Sequence, residues 1–213
     1  MKGTLKLISG IKIQSTKQDS ARPTTAKVRE AVLNILRGKI EGSHWLDLCS
    51  GSGSMGCEAL QNGAKRIVAV EKDKANFEIC KTNLFYISNK LKEPISNNIK
   101  VVCDDVVPFL KRGSLQKRIQ FRQNQRKLEQ SFDLIYFDPP YKDKIYEEVL
   151  ELLLIGQWVK STTLLICECS PKKKPLIPKG WILNNQKDYG NSCLIFLTPN
   201  LALRYSCDTG SRH

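Results

Sequence analysis

The chain of 213 residues carries 34 Lys and Arg against 21 Asp and Glu, a net charge of +13, with 41% hydrophobic residues. That length supports one large domain, or one with a small appendage, whose core needs no disulfide or metal staple, and the charge points away from a neutral small-molecule enzyme toward a polyanionic partner. No apolar run approaches the roughly 18 residues that cross a bilayer, and Met1-Lys2-Gly3-Thr4-Leu5 does not open a signal peptide, so neither an integral membrane nor a secreted protein is expected.

In chain order, Leu5-Lys6-Leu7-Ile8 and Ile11-Lys12-Ile13-Gln14 read as a hairpin turning at Ser9-Gly10. After a polar stretch from Ser15 to Ala21, Thr24 or Thr25 caps a helix with apolar residues at Val28, Ala31, Val32, Ile35 and Leu36, stopping near Gly38. A regular alternation follows. Strands are expected at Trp45–Cys49, Arg66–Glu71, Ile99–Cys103, Phe132–Phe137 and Thr163–Glu168. Helices intervene after the glycine loop through Leu60, from Lys74 to about Leu91, from about Val106 to Leu110, and after Asp143 through Leu154. Trp181–Gln186 and Cys193–Leu197 form a closing pair of strands around Tyr189-Gly190-Asn191. Near-continuous apolar strands alternating with helices mean an α/β protein whose parallel sheet is covered on both faces. The chain divides into an N-terminal hairpin and helix extension (1–38), a main domain (39–199) with a basic insertion at 111–130, and a tail (200–213).

The charge is concentrated. Residues 1–29 hold seven basic side chains against Asp19, and residues 111–130 hold seven against Glu129, whereas the remaining 164 residues net only +1. Two such segments flanking a near-neutral body fit the neutralisation of nucleic-acid phosphates better than two solvated loops. The eight cysteines, Cys49, Cys57, Cys80, Cys103, Cys167, Cys169, Cys193 and Cys207, contain no CxxC pair and mostly lie in apolar runs. With only His44 and His213 besides, no metal site is expected, and the thiols read as reduced, buried hydrophobes in a reducing, cytoplasmic compartment.

Gly51-Ser52-Gly53-Ser54-Met55-Gly56, after a strand and before a helix, satisfies the dinucleotide fingerprint, and Glu71 stands where that fingerprint wants a ribose-binding acid. A nucleotide-dependent oxidoreductase is therefore one candidate. Asp47, four residues before the first glycine, argues for another, because a carboxylate there would repel a pyrophosphate at the helix N-terminus. S-adenosylmethionine has the opposite need, since it carries a sulfonium and an ammonium. Asp47 would face that cationic end, Gly51, Ser52 and Gly53 would let the backbone approach, Glu71 would take the ribose hydroxyls, and Asp105 would accept from the adenine amine.

Asp138-Pro139-Pro140-Tyr141 follows the fourth strand of the alternation. In an open parallel sheet ligands bind beyond the carboxyl ends of the strands, which places this tetrapeptide in the same crevice as Gly51. An exocyclic nucleobase amine is a poor nucleophile because its lone pair is delocalised into the ring. Asp138 and the Pro139 carbonyl, accepting its two hydrogens, favour a pyramidal nitrogen with an available lone pair. The two prolines hold that carbonyl in place, and Tyr141 offers a face for the base to stack on. Loss of catalysis, leaving an RNA-binding protein, is argued against by the intact tetrapeptide.

With Arg22-Pro23-Thr24-Thr25 and Val28-Arg29-Glu30, the hairpin, the glycine loop, Asp138-Pro139-Pro140-Tyr141 and the acid-ending strand Ile166-Cys167-Glu168, the chain resembles class I S-adenosylmethionine-dependent methyltransferases of the amino-methylating type. More narrowly, it resembles the bacterial 16S rRNA guanine-N2 methyltransferase family of the RsmD type, over roughly residues 3–198. The resemblance implies a Rossmann-like, seven-stranded, mostly parallel sheet with an antiparallel last strand. It also implies methylation of the N2 amine of a small-subunit rRNA guanine within an assembled ribosomal particle, by an enzyme expected to be a monomer. It places RNA contacts at Arg22, Thr24 and Arg29, to which the insertion adds Arg118, Arg122 and Arg126. The Asp-Pro-Pro-Tyr motif is shared with adenine-N6 methyltransferases, so that alternative stays open. Departures from the family pattern are the long basic insertion 111–130 and the tail after Pro199.

Overall fold

The computed structural model describes residues 3–16, 25–92, 95–122, 131–140 and 145–204, with backbone alone at 115–122 and 203–204. The chain divides into two compact units, Met1–Val106 with Leu134–Asp138, and Val107–Asp133 with Pro139–His213.

In the first unit, β1 (Thr4–Lys6) and β2 (Lys12–Gln14) pair antiparallel with Leu5 opposite Ile13, and the alternating pattern puts Leu7 and Ile13 into the core. Helix α1 (Ala26–Ile35) is capped by Thr25, whose Oγ1 accepts from the Val28 N–H at 3.2 Å. Thr24, the other expected cap, lies outside the described residues. Strand β3 (His44–Leu48), β4 (Arg66–Glu71), β5 (Ile99–Cys103) and β6 (Phe132–Phe137) run parallel. Helix α2 (Ser54–Gln61) links β3 to β4, and α3 (Lys74–Ser88) follows β4. The register pairs Leu48 with both Val70 and Phe137, and Glu71 with Cys103. The carboxyl ends of all four strands therefore finish along one edge, where ligands bind in open α/β sheets.

In the second unit, helix α4 (Val106–Arg122), which begins at the last residue of the first, is followed by α5 (Tyr146–Ile155), β7 (Val159–Cys169), β8 (Trp181–Tyr189) and β9 (Ser192–Pro199). Strand β9 is antiparallel to both β7 and β8. The seven strands are ordered β5-β4-β3-β6-β7-β9-β8, the mostly parallel sheet with a reversed last strand that the resemblance implies. Strand β7 starts four residues earlier than Thr163, because Trp158 is buried and its carbonyl accepts from the Phe132 N–H at 3.0 Å, drawing the polar start of the strand into the ladder.

The third helix of the expected alternation is corrected by the structure. Instead of stopping near Leu110, α4 continues twelve residues into the basic segment. Pro108 falls in its first turn, where a missing N–H costs nothing. Gly113 does not break it either: a Cβ there would overlap the Trp158 ring, so glycine is the residue that lets the helix pass against a buried indole. Past Gly113 the run Leu115-Gln116-Lys117-Arg118 contains only good helix formers.

Candidate active site

Asp47 lies within β3 and is 2% exposed. One hydrogen bond comes from the Gly56 N–H, while Oδ2 is buried with no hydrogen-bond partner among the described residues. Burial, opposed by that N–H and reinforced by the charge of Glu71, pushes its carboxyl up to about 7. Ser52 is also buried, and its Oγ likewise has no partner. Ser43 Oγ, just before β3, and Trp45 Nε1, within it, are buried and without a hydrogen-bond partner among the described residues too, but neither ionises near neutrality. Asp47 is the one acid in this group.

The glycine loop is held from two sides. Gly51 donates its N–H to Glu71 Oε2 at 2.8 Å, and Glu71 Oε1 accepts from the Asp73 N–H at 2.9 Å. Asp73 in turn caps α3 by accepting from the Asn76 N–H at 2.8 Å. Burial raises the Glu71 carboxyl above its usual range, with the Asp73 and Gly51 N–H groups pulling it back down. Glu71 thus acts first as a backbone staple, a role its position at a strand end did not reveal. Each of its oxygens still has a second lone pair for a ligand hydroxyl. On the other side Asn83, 2% exposed, donates to the Ser52 carbonyl at 2.8 Å. Gly53, at φ 74, starts α2 with its Cα so close to α3 that an added Cβ would lie 2.7 Å from Cys80 Sγ.

Cys49, between β3 and the loop, has a left-handed φ of 64, uncommon for a residue with a side chain. Burial pushes its thiol well up, and the charges of Glu71, Asp138 and Asp47 add to the effect against Lys72. A thiol so raised is no nucleophile. Asp138 stands one residue past β6, half-buried, with its N–H directed to the Leu48 carbonyl at 3.3 Å. The structure therefore brings Asp47, Gly51, Ser52, Gly53, Glu71 and Asp138 to the same strand-end edge. Asp105 lies on that edge as well, exposed, immediately before α4. Pro139 is buried and Pro140 exposed, and Tyr141 lies outside the described residues.

Arg29 does not take the RNA-contacting place expected of it. Its guanidinium is buried, with Nε 3.3 Å from Glu58 Oε1 and Nη2 donating to the Lys6 carbonyl at 2.7 Å. The same Glu58 oxygen accepts from the Ile8 N–H at 2.9 Å. Arg29 follows Val28 and lies three residues before Val32 on the buried face of α1, which turns it inward, where phosphates cannot reach. Among the other expected RNA contacts, Arg22, Thr24 and Arg126 lie outside the described residues, and Arg118 and Arg122 stand toward the end of α4. Among the described residues, no group of three or more His, Cys, Asp or Glu is placed to hold a metal ion, and no helix is long and apolar enough to cross a membrane.

Asn83 and the φ of Cys49 were missed in the sequence. A signal for Asn83 was present: it is a polar residue on the stripe of α3 that buries Cys80, Leu84 and Ile87.

Residues 5–198 match the family model described as conserved hypothetical protein 95. The chain is 32% identical over 194 residues to ribosomal RNA small subunit methyltransferase D of Haemophilus influenzae, covering 89% of this chain and 91% of that protein. It is 27% identical over 182 residues to the protein of the same name from Escherichia coli, covering 85% and 81%. Among solved structures, a putative methylase from Haemophilus influenzae superposes with a TM-score of 0.69 at 29% identity, over 92% of this chain and 99% of that one. A putative methyltransferase from Escherichia coli superposes with a TM-score of 0.72 at 24% identity, over 92% and 98%.

Proposed function

The chain belongs to the conserved hypothetical protein 95 family, and we propose that it is an enzyme that transfers a methyl group from S-adenosylmethionine to the exocyclic N2 amine of a guanine in small-subunit rRNA. The observation that carries the cofactor assignment is the buried, unpartnered oxygen of Asp47 beside the glycine loop. A buried acid without a cation is costly, and an ammonium or sulfonium nearby relieves that cost. Pyrophosphate would aggravate it, so the oxidoreductase reading fits this loop poorly. Asp47 would oppose the cationic end of the cofactor, Glu71 would accept from the ribose hydroxyls with its free lone pairs, Ser52 would offer its hydroxyl, and Asp105 would meet the adenine amine. When bound, S-adenosylmethionine supplies a methyl group already activated by the sulfonium.

The protein then has chiefly to position the amine. Asp138 accepts one amine hydrogen and the Pro139 carbonyl the other, which turns the nitrogen lone pair toward the incoming methyl. The methylated nitrogen loses its proton readily, so no strong base is needed. The guanine reaches this edge only from an exposed or unstacked position in the RNA, and the basic α4 segment draws the phosphates in. The extension 1–38 and the domain 39–199 act together on rRNA in the small ribosomal particle, as a cytoplasmic monomer.

Nucleoside mass spectrometry of 16S rRNA from cells with and without the gene tests the proposal. Loss of one N2-methylguanosine is expected. An unchanged N2-methylguanosine content, or loss of N6-methyladenosine instead, would overturn the choice of base.

A further inference from the structure

The Asn83 side chain makes three hydrogen bonds, and none stays within its own helix. Oδ1 accepts from the Gln14 N–H at 3.0 Å, and Nδ2 donates to the Gln14 carbonyl at 2.8 Å and to the Ser52 carbonyl at 2.8 Å. In the hairpin, Leu7 and Ser15 donate their N–H groups to Ile11 and Gly3, so the odd-numbered residues of β2 face β1. The N–H and C=O of Gln14 therefore point outward, at the exposed side of a two-stranded ribbon. Asn83 meets both with a primary amide, standing in for a third strand at that one position. Its remaining N–H reaches the middle of the glycine loop.

The same face of α3 touches the loop a second time, where Cys80 Sγ lies 3.4 Å from Ser50 Oγ and close under Gly53. Of the loop's anchors, Glu71 holds Gly51 from the strand side, and among the described residues Asn83 is the side chain that connects Ser52 to the hairpin. The buried hydroxyl of Ser52 also has no hydrogen-bond partner among the described residues. One side chain thus ties the orientation of a cofactor-loop peptide to the seating of the N-terminal hairpin, which is further pinned through Ile8 to Glu58 and Ser9 to Gln61.

We propose that Asn83 is a positioning residue for the methyl donor: it sets the Ser52 peptide and makes cofactor affinity depend on the docking of the hairpin. This rests on the assignment of S-adenosylmethionine to the glycine loop. The donor count matters, because replacing the amide with a carboxylate keeps an acceptor for Gln14 N–H but sets a negative charge against two carbonyl oxygens. Protonation of that acid would restore one donor, and burial favours the protonated form.

Calorimetric titration of the full-length protein with S-adenosylmethionine, between about pH 8 and about pH 5.5, reads this out, with thermal melting at each pH to monitor folding. Asn83→Ala should raise Kd and the KM for the cofactor by about tenfold while leaving kcat at saturating cofactor within about threefold. Asn83→Asp should bind at least as weakly near pH 8, and its Kd relative to wild type at the same pH should narrow by about threefold or more on acidification, a rescue that survives even if the alanine variant does not fold. A ratio that stays flat with pH, or variants that bind like wild type, would overturn the proposal. Wild-type protein that failed to bind S-adenosylmethionine at all would overturn the cofactor assignment, and this inference with it.

Discussion

Two buried acids in the first unit have opposite surroundings. Glu58, on α2, faces the Arg29 guanidinium and the Ile8 N–H, and Arg29 also bonds the Lys6 carbonyl. Asp47, in β3, has one N–H from Gly56 and an oxygen with no hydrogen-bond partner among the described residues. Burial raises both carboxyls, so desolvation alone does not distinguish them. The partners do. Around Glu58 the charge is matched from within the chain and the result is architecture, locking the hairpin and α1 onto α2. Around Asp47 no described residue supplies the matching cation, the arrangement that the proposed cofactor's cationic end would complete.

Removing the internal cation should break the first region. Arg29→Ala leaves Glu58 buried and unpaired, and a loss of about 3–5 kcal/mol is expected in denaturant unfolding. If Arg29 instead met a phosphate, stability would hold and the salt dependence of RNA binding would flatten.

The equivalent loss of charge should have the opposite sign in the second region. The Asp47 carboxyl stands at about 7 in the folded chain against an ordinary value of 3.8. A group raised in this way contributes its stability in full below its unfolded value and loses it as pH rises through the folded value. Asp47→Asn, which mimics the neutral acid, should therefore stabilise the cofactor-free protein above pH 7, by about 4 kcal/mol at most from the size of the shift. It should also abolish measurable S-adenosylmethionine binding. In the wild type, affinity should increase as pH rises through about 7, and calorimetry across that range checks the direction. A variant less stable at pH 8 would remove the idea of a reserved site.

Asp138 belongs to neither pattern, being half-buried at a strand end. Asp138→Ala should cost little stability and leave cofactor affinity within several-fold, while single-turnover methyl transfer falls at least about a hundredfold, or about 2.7 kcal/mol of barrier. Near-wild-type turnover would refute its role. The smallest effect is expected in the basic segment: replacing Arg118, Arg122 and Arg126 with Ala should lower the log–log salt slope of RNA binding by roughly 0.7–0.9 for each phosphate that is no longer neutralised. An unchanged slope would make the end of α4 a solvated helix.

The alternation of strands and helices was legible because apolar period is a local property: β4, β5 and β6 begin and end where their apolar runs do. The glycine loop, Glu71 and Asp138 were legible for a related reason, since a parallel sheet delivers successive strand ends to one edge whatever else the chain does. Local pattern also misled. Lys111, Arg112 and the charges after them looked like an interruption, but helix propensity and the space beside Trp158 carried α4 through them.

Composition, charge and spacing therefore determined the class of fold, the edge that carries the candidate site and the residue types gathered there. Tertiary structure alone decided which charges are available to a ligand. Arg29 reads in the sequence as a free basic group, yet it is neutralised by Glu58, twenty-nine residues away along the chain. Asp47 and Glu58 are alike as acids, yet among the described residues only Glu58 meets a cation. Asn83 joins segments sixty-nine and thirty-one residues distant. Hydrogen bonds and ion pairs act over about 3 Å, and no local pattern records which distant groups the folded chain will bring that close.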